Sequence, residues 1–298
     1  MSAAGPPFAL VSAFTSKPFG GNPAAVAFVD VSLPLDYLGG LSANFNQPML
    51  SCVSPTSLPS DDEKIVVRSI RFLVPNGKEV EICGHGTLAA AKALFEQPAV
   101  IATGVHTIHF KNINGDTLKA VKLEYGFIEI DLPSASPAVL SDDEKTKLKT
   151  FVDKAFGRNV VIHDIKSGGE KYEPYVLYEL DESENLAGSA INASALLENG
   201  YVVNVFTTAS SNTDEIFVSR MFAPSMITSP GEDHVCGSAH GVMAPYWYTK
   251  RGITSGHEVK AKQVSQRGGD LRVVWEKEAG RVKLRGQSVI LATGNLTL

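Results

Sequence analysis

Two short stretches of this chain hold side chains able to move protons. The first runs Arg71-Phe72-Leu73-Val74-Pro75 and then Cys83-Gly84-His85-Gly86. The second runs Arg220-Met221-Phe222-Ala223-Pro224 and then Cys236-Gly237-Ser238-Ala239-His240. Both read Arg-x-x-x-Pro, a loop, Cys-Gly and the start of a helical pattern, with arginine 12 residues before cysteine in one and 16 in the other. A helix N-terminus carries unpaired N–H groups and the positive end of the helix dipole. It attracts a carboxylate or phosphate and favours the thiolate of a cysteine placed there. Glycine after the cysteine lets a ligand approach the backbone. Two such units around one small anion would put a proton-transfer group on each side of a carbon, which makes Cys83 and Cys236 the candidate acid–base pair. A buried cysteine followed by a turn glycine would explain either stretch alone. Repetition of the whole unit is better explained by two similar lobes, each ending a strand at a helix N-terminus.

The elements that must position these groups form a mixed α and β pattern. Residues 8–14, 24–29, 65–74, 107–110, 119–124 and 128–132 read as strands, and so do 176–180, 202–207, 215–221, 259–263, 271–275, 281–285 and 288–292. Helical spacing marks 35–46 and 89–97, the latter stopped by Pro98, with a short helix near 192–198. Ser141-Asp142-Asp143-Glu144 is a capping box, and Gly157 can end the helix after it. Composition shifts around 115–118, which divides the chain into residues 1–117 and 118–286 before the final strand.

The chain has 298 residues, enough for roughly two domains. It is 44% hydrophobic and 20% charged, as globular chains are and disordered ones are not. Lys plus Arg is 27 against 32 for Asp plus Glu, a net charge of -5 without the cationic surplus a nucleic-acid partner requires. No run of apolar residues is long enough for a membrane span, and the first seven residues lack the basic region of a secretory signal. Three cysteines make no disulfide framework and suit a reduced, cytoplasmic chain, with Cys52 read as core. No strand leads into a Gly-x-Gly-x-x-Gly or Walker sequence, so no nucleotide cofactor is expected. Cys83-x-His85 and His234-x-Cys236-x-x-x-His240 do not have the spacing of a zinc module, so no metal is expected either.

Four stretches carry a family resemblance: Gly21-Asn22-Pro23-Ala24-Ala25-Val26; Arg71 to Pro75 with Glu79-Val80-Glu81-Ile82-Cys83-Gly84-His85-Gly86-Thr87; Glu232-Asp233-His234-Val235-Cys236-Gly237-Ser238-Ala239-His240 with Ala244-Pro245-Tyr246-Trp247; and Gln263-Val264-Ser265-Gln266-Arg267-Gly268-Gly269. In these the chain resembles the phenazine-biosynthesis PhzF-like family of the diaminopimelate-epimerase fold superfamily. The resemblance implies an α/β (α+β) fold of two lobes, each a mixed β-sheet wrapped around a central helix, with the active site between them and residues 287–298 returning to the first lobe. It implies a cofactor-independent isomerase, commonly a homodimer, acting on a small carboxylate. His85, Asp233 and Ser238 match positions the family uses around its substrate. Gly84, Gly86 and Gly237 match the amides that hold the carboxylate, and Asn22 and Thr87 fall within the same signatures. One position departs: Met49, in Asn46-Gln47-Pro48-Met49-Leu50-Ser51, stands where the family carries its catalytic glutamate. Methionine carries no proton, whereas Cys83 and Cys236 align with the two thiols of the epimerase branch. The expected reaction is therefore a racemase or epimerase proton transfer on an amino- or hydroxy-acid. The alternatives are a 1,3-proton shift using Asp233 or His85, and a non-catalytic carboxylate-binding protein.

Overall fold

Two apolar segments in the first 30 residues build a hairpin. β1 (Pro7–Ala13) and β2 (Asn22–Phe28) pair antiparallel, with Phe8 opposite Ala27. The turn requires glycine at position 21, where φ is 63° and a Cβ would lie 2.1 Å from the Ala13 carbonyl oxygen. The computed structural model describes residues 5–212, 214–227 and 230–297. These fall into two compact units: the residues up to Asp131 with those from Arg285 onward, and Leu132–Leu284.

In the first unit, α1 (Leu35–Phe45) is followed by β3 (Leu50–Val53), which runs parallel to β2. β4 (Ile65–Leu73) pairs antiparallel with β3, and the short β5 (Glu79–Val80) with β4. The central helix α2 (Gly84–Phe95) comes next, then α3 (Pro98–Thr103). Pro98 ends the first helical pattern as expected and also opens α3, where a missing N–H costs nothing. β6 (Thr107–Lys111) lies parallel to β4, and β7 (Thr117–Lys122) and β8 (Ile128–Pro133) extend it antiparallel. Gly115 sits in the β6–β7 hairpin turn, and the unit continues through Asp131. A last strand, Ser288–Asn295, pairs with β1 and closes the unit.

Every residue of α2 except Lys92 is buried, and strands β1, β2, β3 and β7 and the closing strand pack against it. An all-round apolar helix belongs in an interior. Ala89, Ala90, Ala91 and Ala93 are short enough to let strands approach from several sides. Cys52 is part of this core, fully buried on β3, and burial pushes its thiol up to about 12.

The second unit contains β9 (Ala138–Val139), α4 (Asp142–Phe156), β10 (Ile162–Ser167), β11 (Tyr175–Leu180), β12 (Val203–Ala209), β13 (Glu215–Phe222) and β14 (Glu232–Asp233). The central helix α5 (Gly237–Arg251), β15 (Glu258–Gln263), β16 (Gly269–Glu276) and β17 (Arg281–Gly286) come after these, and the closing strand of the first unit is β18. β10 pairs antiparallel with β9 and β11, and β11 lies parallel to β12. β12 and β13 are antiparallel, β13 and β15 parallel, β15 and β16 antiparallel. The Ser141 capping box is present, with both reciprocal hydrogen bonds, and Gly157 ends α4. The segment 193–196 is a single 3-10 turn. Among the described residues, no helix is long and apolar enough to cross a membrane.

Residues 239–248 of α5 are all buried, with β11, β13 and β16 packed on the helix. Pro245 inside it leaves the Gly241 carbonyl without its usual helical donor. The Ala135 N–H fills that place at 2.9 Å. Tyr172 lies against the same glycine and donates from its hydroxyl to the Pro133 carbonyl at 2.8 Å. A Cβ at Gly241 would stand 2.1 Å from the Tyr172 hydroxyl oxygen and 3.0 Å from the Pro133 carbonyl oxygen. Gly241→Ala should therefore cost about 1–3 kcal/mol in urea unfolding through overpacking; an unchanged midpoint would show that the niche is not tight.

Candidate active site

Each Cys-Gly loop is pinned by an arginine–glutamate pair. Arg71 grips Glu79 with two hydrogen bonds, 2.7 and 2.8 Å, and gives its remaining nitrogen to the carbonyls of Val31 and Leu33. Arg220 grips Glu232 at 2.6 and 2.7 Å and donates to the carbonyls of Leu186 and Ser189. Such bidentate pairs fix geometry as well as energy. Leu73 is opposite Glu79, and Phe222 opposite Glu232, so each glutamate sits in the same register two residues beyond its arginine. The longer arginine-to-cysteine spacing of the second unit falls between Ala223 and Gly231, which close on each other by a 2.8 Å hydrogen bond. The pairing with Arg71 makes Glu79 an anchor of the hairpin.

Four residues beyond each glutamate comes the cysteine, as the N-cap of the central helix and in extended conformation. In the first unit, Cys83 is 6% exposed and its sulfur accepts the Gly86 N–H at 3.3 Å. His85 Nδ1 lies 3.4 Å from the sulfur. The Thr87 hydroxyl donates to the Cys83 carbonyl at 2.8 Å. Gly86 is held small by its surroundings: a Cβ would meet Ser51 Oγ at 2.9 Å and Met49 Cγ at 3.1 Å. Met49 is buried and therefore packs beside the first turn of α2.

In the second unit, Cys236 is 5% exposed and Ser238 Oγ lies 3.3 Å from its sulfur. His240 Nδ1 donates to the Cys236 carbonyl at 2.8 Å, in the place Thr87 fills in the first unit. Gln263, fully buried, bridges the loop: its side-chain oxygen takes the Cys236 N–H at 2.9 Å and its amide donates to the Asp233 carbonyl at 2.6 Å. Asp233 is buried on β14 beside this loop. The helix end was expected to favour the Cys236 thiolate. Instead its thiol is pushed up to about 12, first by burial and then by the Asp233 charge; Ser238 and the Ala239 N–H oppose the shift without cancelling it.

The structure thus gathers Cys83, Gly84, His85, Gly86 and Thr87 at the start of α2, and Asp233, Cys236, Gly237 and Ser238 at the start of α5, in separate units. Asn22 is fully buried in the first unit, opposite Ala13 at the start of β2. The Gly86 N–H is directed at the cysteine sulfur, and the Thr87 hydroxyl proton is spent on the helix start. Sequence reasoning did not find Tyr172, Tyr175 or the bridging role of Gln263. Tyr172 precedes β11 and Tyr175 opens it, neither within a motif, and Gln263 was visible only as part of a loop signature. Chemically, each centre sets a thiol beside a proton-accepting or hydroxyl-bearing neighbour and a row of helix N–H donors, as exchange of a carbon-bound proton next to a carboxylate requires.

The chain matches the phenazine biosynthesis-like (PhzC-PhzF) family over residues 11–294 and belongs to it. An uncharacterized isomerase of Halalkalibacterium halodurans is 31% identical over 98% of both chains. A human phenazine biosynthesis-like domain-containing protein is 30% identical over 98% of this chain and 99% of its own. The crystal structure of a PhzF-family protein from Enterococcus faecalis superposes with a TM-score of 0.80 at 27% identity, covering 99% of this chain and 100% of that one. The mixed α+β architecture is therefore that of the PhzF family.

His240 gives the second centre a pH signature. It is fully buried, and burial holds its imidazole down at about 4 against an ordinary 6.5. Below pH 6.5 the unfolded chain takes up a proton that the folded chain refuses until about pH 4, so stability falls as pH drops through that window. Going from pH 7 to pH 5 should cost the native protein about 2 kcal/mol more than it costs His240→Gln, in urea unfolding. Equal losses in the two proteins would rule this out.

Proposed function

We propose that this protein is a cofactor-independent isomerase that inverts a carbon next to the carboxylate of a small amino- or hydroxy-acid, with Cys83 and Cys236 as the acid–base pair. One observation carries the reading. Both cysteines stand at the N-cap of a buried central helix, with a pinned arginine–glutamate hairpin before them, a polar side chain on the sulfur two residues on and another on the cysteine carbonyl four residues on. Isomerase names among the relatives support the class. Met49 at the family's glutamate position has no proton to give, which disfavours a 1,3-shift by that residue.

The chemistry rests on the neighbours of each sulfur. Such a carbon is a weak acid, so the developing negative charge needs stabilisation, which first-turn N–H groups at Gly84 and Gly237 supply in a dry site. Cys83, beside the His85 imidazole, starts as the base and takes the proton as its S–H bond forms and the C–H bond breaks. Cys236 starts protonated, because burial and Asp233 disfavour its charge. It gives its proton to the carbon as its S–H bond breaks and the new C–H bond forms. The two thiols end with exchanged protonation, which solvent restores.

Incubating the protein in D2O with a panel of small amino- and hydroxy-carboxylates should place deuterium at the carbon next to the carboxylate of a turned-over acid. Cys83→Ser and Cys236→Ser should each lower inversion by roughly a hundredfold or more. Full turnover in both variants would sink the two-thiol mechanism, and a product with a shifted double bond instead of inversion would replace it with a 1,3-transfer.

A further inference from the structure

Within the second unit a side chain outside every motif is linked to the Cys236 sulfur through Ser238. Tyr175 opens β11, where strand pairing sets it opposite Val203. Its hydroxyl donates to Ser238 Oγ at 2.8 Å, and Ser238 Oγ is 3.3 Å from Cys236 Sγ. The ring is held edge-on against Tyr172, centroids 5.0 Å apart at 83°. Tyr172 is fixed in turn by its bond to the Pro133 carbonyl and by the niche that Gly241 leaves in α5. The Tyr175 hydroxyl is thus placed by a strand register and a locked ring.

We propose that Tyr175 is a positioning residue for Cys236: by donating to Ser238 it turns the Ser238 proton toward the sulfur and so favours the charged form of that thiol. A serine hydroxyl has one proton. While Tyr175 occupies an acceptor position of Ser238 Oγ, the Ser238 proton is free to point at Sγ. Of the other groups around Cys236, the Ala239 N–H also favours charge on the sulfur, and the side chains act differently. Asp233 on β14 opposes a charge on the sulfur, the Tyr172 hydroxyl proton is committed to Pro133, and His240 and Gln263 hold backbone atoms of the loop. With the Ala239 N–H, the Tyr175–Ser238 relay is the counterweight that lets Cys236 take a proton when catalysis runs in reverse. Its catalytic meaning rests on the two-thiol reading above, but the relay itself can be measured without substrate.

The measurement is the iodoacetamide alkylation rate of each cysteine in the full chain at pH 8, resolved by peptide mass spectrometry. Tyr175→Phe keeps the ring and its packing and removes only the donor. It should slow Cys236 about fivefold relative to Cys83, the loss of one modest hydrogen bond. Ser238→Ala should slow Cys236 similarly, and adding Tyr175→Phe to Ser238→Ala should have no further effect. A change in access alone would persist in the Ser238→Ala background. The relay is overturned if Tyr175→Phe leaves the Cys236 rate unchanged, slows Cys83 equally, or slows Cys236 further in the double variant. Any of these leaves the two-thiol mechanism standing, whereas full activity in both cysteine-to-serine variants removes that mechanism and not the relay.

Discussion

A helix enclosed on all sides cannot leave its first turn to water. Its initial N–H groups must find partners inside the protein, because an unsatisfied buried amide costs on the order of 1–3 kcal/mol. In this chain the constraint falls on two central helices, and in each the chain enters through a cysteine. At α2 the Cys83 sulfur accepts the Gly86 N–H. At both helices a side chain four residues on takes the cysteine carbonyl. A soft, weakly hydrogen-bonding atom thus stands where helices usually carry serine or aspartate. It satisfies the helix poorly but can exchange a proton with a carbon acid. At Cys83 the atom that receives the helix N–H is also the atom to which the proposed chemistry assigns the proton.

The two centres share a frame and differ in what touches the sulfur. His85 stands at the Cys83 sulfur, where Ser238 stands at Cys236. Asp233 adds a carboxylate to the second centre; the corresponding residue of the first hairpin is Val80, opposite Phe72 as Asp233 is opposite Met221. The frame is conferred by the arginine–glutamate pairs, which fix the hairpin register and with it the position of the cysteine four residues later. The asymmetry is conferred by single side chains inside that frame. Burial and Asp233 disfavour charge on the Cys236 sulfur, which sets the starting state of that thiol in the proposed exchange.

Legibility in the sequence depended on how local each signal is. The capping box at Ser141 and Glu144, the Gly157 terminus and the alternation of β7 and β8 rest on residues a few positions apart, and they read correctly. Pro98 read only as a stop, since its second role, opening α3, depends on the residues after it. Glu79 could not be told from a solvated carboxylate, because its partner Arg71 is brought to it by a strand pairing. Gln263 lies 27 residues from Cys236 along the chain, and Tyr175 lies 63 residues from Ser238, so no spacing rule connects them.

The sequence by itself determined the repeated cysteine-led helix start and the family, because these are identities and short spacings. Only tertiary structure decided that burial and the neighbouring Asp233 would keep Cys236 protonated where the helix dipole alone favours its charge. The dipole is a property of consecutive residues. Desolvation and a carboxylate on another element are properties of what the fold packs around them, and at Cys236 they outweigh it.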